Sequence, residues 1–141
     1  METFTKRIPL SLAISLYTAL IGGIGVAALE TIRRWHQLTD LHYFINWFDD
    51  YLFGGFLVFG AIKTFRSPVN GQRFLIAAWG TAAGANFMSF FGQLQQLDQP
   101  DPSHVSSQTI VLIKGIMELI VIICLLLSLK KIKPVMPGAG S

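Results

Sequence analysis

An all-α, polytopic membrane fold is what this sequence predicts: four transmembrane helices in an antiparallel bundle, with both termini cytoplasmic. Three observations carry that expectation. Hydrophobic residue types make up 52% of the 141 residues and charged types 13%, about half the charged share of a soluble domain. Two runs, 8–29 and 74–97, contain no charged residue and are long enough to span a bilayer. Two more, 41–62 and 105–129, are long enough but carry charges inside. Four spans consume most of the chain, so 1–133 forms one transmembrane domain, and residues 134–141 are expected to be a disordered tail.

The first span carries Ser11, Ser15, Thr18 and Gly22 as a small, weakly polar stripe. Its apolar core exceeds the roughly 7 to 15 residues of a signal peptide's central region, which favours a retained span. The helix is expected to continue past Leu29 through Glu30 to Leu38. Asp40 is placed to cap the second span. In that span the uninterrupted apolar run is only 51–62, about 18 Å of helix against a hydrocarbon core of about 30 Å. The span must therefore reach back past Asp49 and Asp50, drawing two carboxyl groups below the surface. Neighbours on a helix point about 100° apart, so one of the pair is expected to face inward.

Ser67-Pro68 with Asn70-Gly71 predicts a tight turn before the third span. That span contains Gly80-Thr-Ala-Ala-Gly84, a small-xxx-small pattern suited to helix contact within the bundle or between copies. It also carries Asn86, Ser89 and Gln93, spaced i, i+3, i+7 and hence on one face. Asp101 is expected to cap the fourth helix, with Pro102 at its first position. The fourth span holds Lys114 and Glu118, one turn apart and able to pair, and Cys124, a lone buried cysteine.

Basic residues set the orientation. With the N-terminus inside, Lys6, Arg7, Lys63, Arg66, Arg73, Lys130, Lys131 and Lys133 all fall on the cytoplasmic side, against Arg33 and Arg34 outside. The formal charge of +3 is then a topology signal, and no basic face interleaved with aromatics points to nucleic acid. Glu30, Asp40, Asp49, Asp50, Asp98 and Asp101 gather towards the outer side, with His36, His42 and His104.

Depth counts at about 1.5 Å per residue place Asp49, Asp50, Asn86, Ser89, Gln93, Lys114 and Glu118 in one layer of the outer half. Three carboxyl groups and one ammonium leave a negative surplus that burial resists, so a proton or a cation is expected to enter. The histidines have no metal-ligand spacing and none lies deep in a span, so neither a metal nor a haem is expected, and no other cofactor is implied. There is no H-E-x-x-H, G-x-S-x-G or phosphate-binding glycine loop, and the sequence leans away from catalysis. The expectation is a small protein of a bacterial-type plasma membrane that binds or transports a proton, cation or small amphiphile. The alternative is a noncatalytic accessory or assembly subunit. Its partners are the lipid bilayer and either copies of itself or a larger membrane complex.

Overall fold

Pro9 opens the first helix, its carbonyl accepting the N–H of Ala13 at 2.9 Å. The computed structural model describes residues 8–33, 35, 44–97 and 106–130, with the backbone alone at 33 and 44–47. Among these residues are α1 (Leu10–Arg33), α2 (Phe44–Arg66), α3 (Pro68–Gln95) and α4 (Ser107–Ser128). Three segments, Leu10–Ile32, Pro68–Gln95 and Ser107–Ser128, are long and apolar enough to cross a membrane, which makes this a multi-pass membrane protein. α2 carries Asp49, Asp50, Lys63 and Arg66.

The helix boundaries correct two expectations. α1 is described as far as Arg33, and of its expected continuation to Leu38 all but Trp35 lies outside the described residues. α3 begins at Pro68, directly after Ser67, so Asn70 and Gly71 lie inside its first turns and not in a loop. Proline is pre-set for a first helical position, where its missing N–H costs nothing, and this outweighs the turn signal of Asn-Gly. α4 begins at Ser107, because Ser106 is extended (φ −61, ψ 136) and its side chain accepts the N–H of Thr109 at 3.3 Å. A cap at Asp101 with Pro102 as the first helical residue is therefore replaced. Asp40, Asp98, the three histidines and the tail lie outside the described residues.

α1 packs on α2 and α4, and α3 packs on the same two, leaving α2 diagonally opposite α4. Glycines set the close approaches. A Cβ on Gly23 of α1 would lie 2.5 Å from the carbonyl oxygen of Gly54 on α2, and one on Gly60 would lie 3.0 Å from that of Phe74 on α3. Gly71 passes against the backbone of Lys63 and Thr64, which lets α3 fold back onto α2 after a single connecting residue. Gln72 Nε2 donates to the carbonyls of Ser128 and Lys130 at 2.6 and 2.8 Å, holding the end of α4 against the start of α3.

The buried residues are unevenly distributed. Leu12, Leu16 and Ala19 of α1, Leu57 and Ala61 of α2, Leu75, Ala78, Trp79 and Ala82 of α3, and Val121 and Cys124 of α4 form one cluster. All lie in the half of the bundle near the α2–α3 connection. In the other half α3 and α4 bury no side chain between Ala83 and Gln95 or between Gln108 and Ile120. The helices are tight at one end and parted at the other, and that difference creates the site. Towards the outside α4 presents Leu112, Ile113, Ile116, Leu119, Ile123 and Leu126, the apolar surface that lipid requires. Gly80 and Gly84 also lie on an outward face, where an added Cβ would meet nothing within 4 Å, so among the described residues these two glycines set no close helix approach.

Candidate functional site: a cavity between the four helices

Ser15 is a fully buried polar residue at the base of the site. Its hydroxyl accepts from Trp79 Nε1 at 2.8 Å and donates to the carbonyl of Cys124 at 3.0 Å, so one buried side chain ties α1 to α3 and to α4. Buried hydroxyls and indole N–H groups need partners in an apolar medium, and this chain of bonds supplies them. Above Trp79 the helices part around a cavity of about 640 Å³.

Every helix contributes to its wall. α1 gives Thr18, Gly22, Val26 and Glu30, α2 gives Asp49, Asp50, Phe53 and Leu57, α3 gives Trp79, Asn86 and Ser89, and α4 gives Lys114, Met117 and Val121. Trp79, Leu57 and Val121, only 2%, 6% and 7% exposed, close one end. At the other end the wall includes the exposed residues Leu29, Asp49 and Ser89. From Trp79 to Ser89 the cavity follows α3 for about 15 Å. It is thus apolar at the base and charged near the end where α1 finishes and α2 begins.

The residues selected from sequence sort into three groups. Asp49, Asp50, Asn86, Ser89 and Lys114 border this one cavity. Gln93 does not line it, but its Oε1 accepts from Lys114 Nζ at 3.2 Å, and the same ammonium donates to the Ser89 carbonyl at 3.3 Å. The i, i+3, i+7 stripe on α3 is therefore the face that meets Lys114. Glu118 is not on the wall. Its Oε2 is enclosed and meets no hydrogen-bond donor among the described residues, and no ion pair joins it to Lys114, which turns to α3 instead.

Both aspartates border the cavity, where one was expected. The cavity is wide enough at this level to take in 49, 50, 53, 54 and 57 of α2, so a 100° step does not carry either residue off its edge. Asp49 is exposed, and its Oδ1 accepts the N–H of Asp50 at 2.9 Å; Asp50 is half-buried. Just beyond the acids, the hydroxyls of Thr31 and Tyr51 bond each other and brace α1 against α2.

Glu30, Thr18 and Trp79 are among the wall residues that the sequence did not mark as site members. Thr18 belongs to the recognised small-residue stripe. Trp79 continues the α3 stripe downward, since 79, 82, 86, 89 and 93 repeat at helical spacing. A second, apolar groove of about 560 Å³ lies on the other side of α2, lined by Phe48, Tyr51, Phe56, Phe59 and Thr81 among others. Among the described residues no group of three or more His, Cys, Asp or Glu side chains is placed to hold a metal.

Comparison with protein-family models, with curated proteins and with solved structures returns no match.

Proposed function

We propose that this protein is a four-span antiparallel bundle in a plasma membrane, with both termini cytoplasmic, that binds or moves a proton, a cation or a small amphiphile through its central cavity. In this arrangement α2 crosses the membrane beside the three more apolar helices, and Asp49 and Asp50 are tolerated at depth because they meet the cavity and not lipid. The observation that carries the reading is the cavity itself. About 640 Å³ is roughly twenty times the volume of a water molecule in the liquid and within the range of small-molecule sites. Ionisable groups within a span cost several kcal/mol, face the bundle interior or a water-filled cavity, and mark substrate and ion pathways. Here four of them, Glu30, Asp49, Asp50 and Lys114, border one cavity. The positive-inside bias puts the charged end of the cavity on the outer side.

Gly22 provides the test. It lines the cavity, and a Cβ there meets nothing within 4 Å, so Gly22→Leu projects its side chain into the space from an unobstructed position. The chain is purified in mild detergent and everything that co-purifies is identified by mass spectrometry, beside Gly22→Leu and Asp50→Asn. A small molecule bound to the unaltered chain and lost from both variants is the expected result. Identical small-molecule content in all three samples would remove the proposal's support.

The outward Gly80 and Gly84 favour a second reading, an accessory subunit that docks on a larger membrane partner or on a copy of itself. A small-xxx-small pair that sets no close approach among the described residues is suited to close approach by another helix. The same purification separates the two, because a docking subunit brings down a protein whose recovery depends on Gly80 and not on Asp50.

A further inference from the structure

Lys114 is the one cationic group lining the cavity among the described residues, and its bonding is incomplete. A lysine ammonium has three donors, and among the described residues this one uses two, both on neutral oxygens at 3.2 and 3.3 Å. No carboxylate lies within ion-pair distance of it there. The acids are differently placed: Asp49 is exposed and keeps its hydration, while Glu30 and Asp50 each make a further polar contact. Charges of the two signs also stand on different walls, since Asp49 and Asp50 are on α2 and Lys114 is on the diagonally opposite α4.

A ligand carrying only a cation would be attracted by three acids but would be repelled by Lys114 and leave it unmatched. A ligand carrying only an anion would answer Lys114 and face the three acids. A molecule with both signs satisfies both walls, and charge-assisted hydrogen bonds are strong enough to orient it. The apolar base at Trp79, Leu57 and Val121 gives the same molecule a place for a hydrocarbon tail.

We propose that the cavity takes a zwitterionic amphiphile, its ammonium towards Glu30, Asp49 and Asp50, its phosphate or carboxylate on Lys114, and its tail over Trp79. This rests on the cavity being the binding site. Lys114 is then the residue that selects a zwitterion over a simple amine.

The full chain in maltoside micelles is mixed with each of four probes, and the bound fraction is read by native mass spectrometry. The probes are lauroyl-lysophosphatidylethanolamine, dodecylamine, dodecyl phosphate and tail-less phosphoethanolamine. The zwitterionic amphiphile is expected to be retained at least tenfold more tightly than the other three. Lys114→Gln, which keeps a polar amide but has no charge, should lower that retention at least tenfold and leave dodecylamine unchanged or improved. Lys114→Arg should keep it. Equal retention of the zwitterion and dodecylamine, or indifference to Lys114→Gln, would overturn the proposal. Dodecylamine binding that Gly22→Leu abolishes would then leave the cavity reading standing. Equal retention of phosphoethanolamine would overturn the role given to the tail. If no probe is retained, this proposal falls, and the cavity reading is decided by the co-purification comparison with Gly22→Leu and Asp50→Asn alone.

Discussion

Trp79 Nε1 lies 2.8 Å from Ser15 Oγ, and this bond joins α3 to α1 at the base of the cavity. Both residues are buried, at 2% and 0% exposure, so neither group has water to fall back on. The bond is therefore a structural element of the site as well as of the core.

Ser15→Ala leaves the indole N–H without its acceptor and the Cys124 carbonyl without its second donor. The expected loss is about 1–2 kcal/mol, the usual consequence of stranding one buried donor. Trp79→Phe in the same background should cost less than in the unaltered chain, giving a coupling of about 1 kcal/mol. Unfolding titrations with dodecyl sulfate in mixed micelles measure all four corners of this cycle, and additive effects would mean that the bond contributes nothing.

Gly23 and Gly80 make opposite predictions for the same substitution. Gly23→Ala puts a methyl group 2.5 Å from the Gly54 carbonyl, forcing α1 and α2 apart at a cost of about 1–3 kcal/mol. Gly80→Ala meets open space and gains helix propensity, so stability in micelles should be unchanged or rise by up to about 1 kcal/mol. A fall for Gly80→Ala that deepens with protein concentration would instead reveal a contact between copies.

Glu118 carries an enclosed oxygen with no donor among the described residues. Replacing it with methionine, of similar length, removes a polar group whose burial is uncompensated, and stability should rise by about 1 kcal/mol. The same unfolding titration checks this. A decrease of that size would show that the carboxyl group is engaged after all.

How far the sequence foretold this arrangement depends on the kind of signal. Asn86, Ser89 and Gln93 were legible because polar residues in an apolar span stand out and their spacing defines a face. Their meeting with Lys114 followed from depth alone. Trp79 was hidden, since an aromatic in an apolar run looks the same whether it faces lipid or floors a cavity; only Ser15 on another helix separates the two. Glu30 was read as a flanking charge, because whether a helix's last turn borders a cavity depends on how far its neighbours splay. Gly71 was misassigned for a related reason. Asn-Gly is a strong local turn signal, but the neighbouring α2 backbone made glycine's missing side chain more valuable than its flexibility. Gly80 and Gly84 show the converse: the same motif that predicts contact faces outward here, because Gly23, Gly54, Gly60 and Gly71 already provide the close approaches.

Cys124 is buried, and it is the one cysteine in the chain. Its enclosure makes the natural protein a low-background vehicle for thiol labelling. A cysteine introduced at Gly22, Ser89 or Gly80 would be the readily modified thiol, and membrane-impermeant reagents applied from either face would report which positions open to which compartment. Orientation, access to the cavity and partner contact at Gly80 become three readings of one chemical experiment.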